Sequence, residues 1–586
     1  MKRLIWIALL LVACRRSEPQ PRPRVETPPP PAAVTADAGV AYRTPASTFH
    51  IDPALAGTGK TSMVASEDRY ATEAGEEMLK NGGNAVDAAV TTAFVLAVTH
   101  PSAGNIAGGG FAVVRIAKGK AATLDFRETA PAAATPNMYL DNGGNPTRES
   151  LIGDRACGVP GSVAGLYELQ HKYGRAKWAD TVAPAIRLAK EGFAVPEQLH
   201  ESLVRISKMR VDRLTSAPLW WPGGKPIDTG TVVKNPELAT VLERIAAKGP
   251  DGFYKGETAA AILAEMQKGK GLITAADLAG YKAIWREPLY ASYRGRKVIA
   301  MPPPSSGGIV VAMTANMLST LGIDKLPWHG TEHIHDVVEV WRRAYAARNE
   351  ILGDPAYVKN MPLAKLTSQA YADQLVKTIT DKATPSKDIP GVIEGTHTTN
   401  ISVVDKGGMA VAMTTTLNTS FGNGVQVSGF LLNNEMDDFT TKLGAPNIYG
   451  LVQGAANKIE PGKRMLSSMS PTILEDEQGD VFMVTGGQGG SHIITEVWLV
   501  ISNVIDFGMP VAQAIAAPRF HHQHLPDEVY FDDDSISADT AKQLEGEGYK
   551  LVFGKGMFGA ANAIVRTKDG WEGAADPRGG GAAIGD

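Results

Sequence analysis

The strand-like runs of this chain come in neighbouring pairs. Phe111 to Ile116 and Ala121 to Phe126 are rich in β-formers and flank Lys118-Gly119-Lys120, a hairpin signal. Asn400 to Val404 and Ala410 to Thr416 meet across Gly407-Gly408, and Thr472 to Leu474 and Val481 to Thr485 across Glu475 to Asp480. Strands this close in sequence pair antiparallel, because a parallel pair needs a long crossover. Helical patterns are mixed among them: Glu73 to Asn81, Ala85 to Val98, Ser162 to Tyr173, Thr181 to Glu191, Pro236 to Ala247, Glu257 to Met266, Thr331 to Leu352 and Ser491 to Ile505. Ala85 to Val98 follows the cap residue Asn84 and is apolar nearly all round, which predicts burial. The pattern predicts a mixed α/β (α+β) fold of stacked layers with mainly antiparallel sheets, not a doubly wound parallel sheet.

The first residues read as an address. Lys2 and Arg3 precede a short apolar run, Leu4 to Ala13, too short to span a bilayer but long enough for a signal-peptide core. It ends Leu11-Val12-Ala13-Cys14, which resembles a bacterial lipobox. That resemblance implies residues 1–14 as a signal with lipid on Cys14, an exported protein, and an outer-membrane, periplasmic anchor given Arg15. Residues 15–61 are rich in Pro, Ala, Arg and Thr without apolar period, and read as a disordered tether. The folded body is expected from about Ser62. No later stretch is apolar enough to span a membrane, and a net charge of −4 offers no field for nucleic acid.

Two apparent motifs carry no chemistry. Gly57-Thr58-Gly59-Lys60-Thr61 lacks the leading glycine of a phosphate loop, because that position is Ala54. His521-His522-Gln523-His524 has adjacent histidines that point to opposite sides of an extended segment, and no acidic pair at helical spacing. Cys157 has no disulfide partner and reads as a small buried residue.

Chemistry is legible only in combination. Thr398 stands before a strand, and a threonine hydroxyl becomes a good nucleophile when the chain is cut before it and its own α-amine serves as base. Gly486-Gly487-Gln488-Gly489-Gly490-Ser491 joins a strand to a helix, where bare N–H groups can face an oxyanion. Asp438 can bind an ammonium, Arg127 can clamp a carboxylate, and Ser467 and Ser468 can add neutral hydrogen bonds. Lys442 to Gly454, with Tyr449, can be a mobile lid. Each alone also fits a turn, an ion pair or a surface loop.

In their order these runs resemble the γ-glutamyltransferase family, from about Ser62 to near Arg578. The matching runs include Asn81-Gly82-Gly83-Asn84-Ala85-Val86-Asp87, Asp125-Phe126-Arg127-Glu128, Gly158-Val159-Pro160-Gly161, Pro304-Ser305-Ser306-Gly307-Gly308, Leu431 to Phe439 and Ser467-Ser468-Met469-Ser470-Pro471-Thr472. The resemblance implies an N-terminal-nucleophile hydrolase with an αββα four-layer sandwich. It implies self-cleavage between His397 and Thr398 into a large subunit, 62–397, and a small one, 398–586, that stay together as a heterodimer. By the same resemblance Thr416 hydrogen-bonds the nucleophile, and Gly489 and Gly490 form the oxyanion hole. Arg127, Ser467 and Ser468 then hold the donor's α-carboxylate, and Asn418, Glu435 and Asp438 its α-amine. The expected substrates are glutathione and related γ-glutamyl compounds, with water, amino acids or dipeptides as acceptors and no metal or organic cofactor. Asn400 departs from the histidine common at that place in the family, which is expected to slow self-cleavage. The lid segment favours small γ-glutamyl donors. A β-lactam or glutaryl acylase on the same scaffold and a catalytically silent peptide-binding lipoprotein are the rival expectations.

Overall fold

The computed structural model describes residues 51–208, 218–386 and 398–586. Cys14 and His397 lie outside the described residues. Two seven-stranded sheets form the centre. In one, the order is Ala56–Gly59, Gly570–Ala575, Ala561–Thr567, Val481–Gly487, Thr472–Glu475, Arg296–Ala300 and Leu289–Tyr293. In the other it is Ala582–Gly585, Met63–Ser66, Thr399–Val404, Ala410–Thr416, Gly109–Ala117, Lys120–Asp125 and Ile284–Arg286. Every pairing in both sheets is antiparallel. The sheets face each other through Thr399–Val404, Ala410–Thr416 and Val481–Gly487. Arg69–Lys80 and Ala85–Thr99 cover the outer face of the second sheet, and Gly307–Leu321 and Ile493–Ile505 that of the first. This is the expected αββα sandwich, with one core under each helical layer and between the sheets.

The helix Ala85–Thr99 is buried along its whole length, as its lack of a polar face requires. Asn84 and Asp87 close its first turn as a reciprocal capping box. The helix expected from Glu73 begins earlier, at Arg69, because the Asp68 carboxylate caps the Ala71 N–H. The helix expected from Ser491 is a 3-10 turn over Gly490–His492 and turns α only at Ile493–Ile505.

One boundary needs correction. Residues 51–61, expected at the end of a tether, belong to the folded body. Pro53–Leu55 form a short 3-10 turn, and Ala56–Gly59 is an edge strand on Gly570–Ala575. Its small residues let the backbone pass close to the other sheet: a Cβ on Gly57 would stand 2.2 Å from the Ala583 carbonyl oxygen. The phosphate-loop-like run therefore lies in and just after a sheet strand.

The histidine run is structural. His521 and His522 are fully buried, and the His492 and His521 rings lie 3.9 Å apart. His521 Nδ1 meets the Thr495 hydroxyl at 2.7 Å and its Nε2 meets Gln523 Oε1 at 2.9 Å. Among the described residues no group of histidine, cysteine and acidic side chains can hold a metal ion. Burial lowers the His492 pKa to about 4. The folded state then resists protonation between roughly pH 6.5 and 4 while the unfolded chain accepts it, so this histidine's stabilising contribution falls as the pH falls through that window. His492→Gln is less stable than the parent at pH 7, and the gap narrows by about 2 kcal/mol at pH 5. Chemical denaturation of both proteins at the two pH values reads this, and a pH-independent gap contradicts it.

Candidate active site

Strand register sets the position of Thr398. Thr399 pairs with Thr415, so Thr398 and Thr416 are the next pair outward. Their hydroxyl oxygens lie 3.5 Å apart, and both residues are buried. The Thr416 hydroxyl also accepts from the Asn418 N–H at 2.8 Å. Asn105 anchors the same edge, donating to the Thr416 carbonyl at 2.9 Å and to the Thr415 hydroxyl at 3.1 Å. No sequence signal marked Asn105.

The glycine loop follows the strand Val481–Gly487 in the facing sheet. Gly489 has φ 153° and Gly490 φ 55°, conformations that favour glycine. A Cβ on Gly489 would stand 2.8 Å from Glu496 Oε1, and one on Gly490 2.3 Å from the Tyr449 ring. Tyr449 thus lies on Gly490, and its hydroxyl donates to Asn418 Oδ1 at 2.7 Å. The Tyr449 carbonyl accepts from Gln523 at 3.0 Å, so the histidine-rich run helps to hold the lid segment. Beneath the glycines, burial raises the Glu496 pKa to about 7.

The remaining wall is charged. A narrow cleft is lined by Thr398, Thr416, Asn418, Tyr449, Gly490, Arg127, Glu435, Asp438, Ser467, Ser468 and Arg348, among others. All the sequence-predicted site residues inside the described range therefore meet here or, for Gly489, stand one residue away. Arg127 is fully buried and pairs through Nη1 with Glu435 and through Nη2 with Asp438. Burial opposes its charge, yet Glu435, Asp438 and Glu128 around it raise its pKa. Glu435 is pushed up to about 7 by burial, against the pull of Arg127. Burial and Glu435 raise the neighbouring Glu128 well above the carboxylate range. Arg127, Glu435 and Asp438, expected at opposite ends of a substrate head group, are bonded to one another.

Arg348 was not marked by the sequence. It belongs to the helix Thr331–Ile351, which also carries Arg342 and Arg343. Those two pair with Glu339 and, for Arg342, with Asp527, whereas Arg348 reaches into the cleft and donates to Ser468 Oγ at 3.3 Å. Spacing alone does not separate the three.

Asn400 is buried behind Thr398 and shares contacts with Asn562, Ser402 and Thr414 in either orientation of its amide. It packs between the sheets and is not among the residues lining the cleft.

A family model described as γ-glutamyltranspeptidase matches residues 71–586. The chain belongs to the γ-glutamyltranspeptidase family. It is 47% identical over 549 residues to the glutathione hydrolase proenzyme of Escherichia coli strain K12, covering 92% of this chain and 93% of that protein. Among solved structures it is similar to a cephalosporin acylase from Bacillus halodurans, at TM-score 0.80 and 27% identity over 92% of this chain and 99% of that one. It is also similar to the γ-glutamyltranspeptidase of Helicobacter pylori, at TM-score 0.53 and 41% identity over 54% of this chain and 91% of that chain. Membership of the γ-glutamyltranspeptidase family accords with the two stacked sheets and with a buried threonine at the strand edge facing a glycine loop.

Proposed function

We propose that this chain is a self-processing γ-glutamyltransferase and glutathione hydrolase with Thr398 as nucleophile. The observation that carries the reading is the Thr398–Thr416 pair, 3.5 Å apart, in a cleft also lined by buried arginines and carboxylates. Cleavage before Thr398 leaves a large subunit ending at His397 and a small one from Thr398 to Asp586, interleaved in both sheets and hence inseparable. The cut turns the Thr398 amide into an α-amine. The hydroxyl then attacks the γ-amide carbonyl of the donor while the α-amine takes its proton. The N–H groups of Gly489 and Gly490 bind the oxyanion. The C–N bond breaks, the proton passes to the leaving amine, and a γ-glutamyl ester on Thr398 remains. Water hydrolyses it, or the amine of an amino acid or dipeptide accepts the γ-glutamyl group.

Arg127, Ser467 and Ser468 hold the α-carboxylate, and Asn418, Glu435 and Asp438 the α-amine. An incoming ammonium replaces part of the Arg127 charge against Glu435 and Asp438 and frees guanidinium donors for the carboxylate. A head group lacking either charge leaves a buried partner unpaired, which a polar site penalises strongly. This favours γ-glutamyl donors over the acyl chains of the acylase rival, and the lid under Tyr449 favours small ones. Asp438→Asn is expected to lower kcat/KM for a γ-glutamyl anilide by roughly 10²–10³-fold while both subunits still form. Equal loss of processing and turnover would remove Asp438 from substrate binding.

Export and a lipid anchor on Cys14 complete the proposal. No helix among the described residues is long and apolar enough to cross a membrane. Cys14→Ser is expected to move the protein from the membrane fraction to the soluble fraction, and unchanged membrane retention would refute the anchor.

A further inference from the structure

The charges of the cleft do not balance around Arg127 alone. Arg127 is met by Glu435 and Asp438, which answer its charge. Arg348 is about as deeply buried, at 1% exposure, and Asp438 acts on its charge only from beyond ion-pair distance. Its partners are neutral. Nε donates to Ser306 Oγ at 3.2 Å, and Nη1 to Asn349 Oδ1 at 3.0 Å and Gln453 Oε1 at 2.8 Å. Nη2 donates to Ser468 Oγ at 3.3 Å. A guanidinium has five N–H donors, and these contacts use four, leaving one Nη2 hydrogen over. Burial lowers the Arg348 pKa to about 10, against the opposing pull of Tyr345 and Asp438.

The same arginine fixes both site serines. Ser306, which accepts from Arg348, donates through its hydroxyl and its N–H to the Ser467 carbonyl, each at 2.7 Å. Ser468 Oγ has one lone pair engaged by Arg348, which turns its own hydrogen outward as a donor and strengthens it.

We propose that Arg348 is the positioning residue of the donor site: it turns the Ser468 hydroxyl toward the donor's α-carboxylate and adds a second positive charge there beside that of Arg127. The proposal rests on the γ-glutamyl reading above. It divides the work between two arginines. Arg127 meets the carboxylate with the donors that the ammonium frees, and Arg348, whose own hydrogen bonds go to neutral groups, acts on the Ser468 side. A zwitterionic head group then gives both arginines a carboxylate, whereas a decarboxylated donor brings Arg348 none.

The test uses the matured wild type, Arg348→Gln and Arg348→Lys, with a γ-glutamyl anilide as donor and the 4-aminobutyryl anilide, which lacks only the α-carboxylate, as competitor. Arg348→Gln should raise KM for the γ-glutamyl donor by roughly 30-fold or more, with kcat within about 5-fold. The inhibition constant of the decarboxylated competitor should shift by less than about 3-fold, and Arg348→Lys should recover part of the loss. A merely structural arginine would weaken both ligands together or lower kcat alone, and either result overturns the proposal. Should Arg348→Gln fail to mature, Arg348→Lys decides: an unchanged KM for the γ-glutamyl donor overturns it. A wild type that does not turn over the γ-glutamyl donor would instead refute the underlying reading.

Discussion

Thr398→Ala is expected to give a single uncut chain with turnover of a γ-glutamyl anilide at least roughly 10⁴-fold below the parent. Two functions fall together because one hydroxyl serves both. It attacks the His397–Thr398 peptide in the precursor and the donor amide in the mature enzyme. The alanine removes that oxygen and little else. Thr398 is buried at a strand edge, and its hydroxyl meets that of Thr416 only at a long 3.5 Å, so the fold should persist. Gel analysis and the anilide assay read the two effects separately. Cleavage that proceeds in Thr398→Ala would move the nucleophile elsewhere.

The second large effect falls on the glycine loop. Gly490→Ala should lower kcat by roughly 10²–10³-fold, the range seen when an oxyanion donor is displaced. The physical reason is local. At φ 55° a Cβ is strained, and here it would enter the Tyr449 ring at 2.3 Å. Either the loop tilts its N–H away from the reacting carbonyl, or Tyr449 leaves and its hydrogen bond to Asn418 breaks. Self-cleavage should slow as well if the same donors serve both steps. A kcat within about threefold of the parent would show that the Gly490 N–H does not bind the oxyanion.

The hairpins and most of the helices of twelve residues or more were legible because their partners are close in sequence. Lys118-Gly119 form the turn between Gly109–Ala117 and Lys120–Asp125, and Gly407-Gly408 lie in that between Thr399–Val404 and Ala410–Thr416. The edge strand Ala56–Gly59 was not legible. Its partner is Gly570–Ala575, at the other end of the chain, and its Ala-Gly-Thr-Gly sequence has no apolar period. The helix Gly307–Leu321 was also missed, because it follows Pro-Ser-Ser and opens on Gly307-Gly308, which read locally as turn residues. Those glycines are packing devices: a Cβ on Gly308 would stand 2.4 Å from the Met301 carbonyl.

The site divides in the same way. Thr398, Thr416 and the glycine pair follow from motif order and strand register. Arg127 was marked by its motif, but its bonds to Glu435 and Asp438 join residues some three hundred positions apart and needed the fold. Arg348 has no local signature, since its neighbours Arg342 and Arg343 share its helix yet find acidic partners. What distinguishes it is the absence of a paired carboxylate among the described residues, a property of the folded cleft alone.

The most direct test is to acid-quench the purified protein during turnover of a γ-glutamyl donor, measure intact masses and sequence the new N-terminus. The expected result is a fragment running from Thr398 to Asp586, a fraction of it heavier by one γ-glutamyl group carried on Thr398. A single uncut chain, a fragment beginning at another residue, or an acyl group on another side chain would contradict the account.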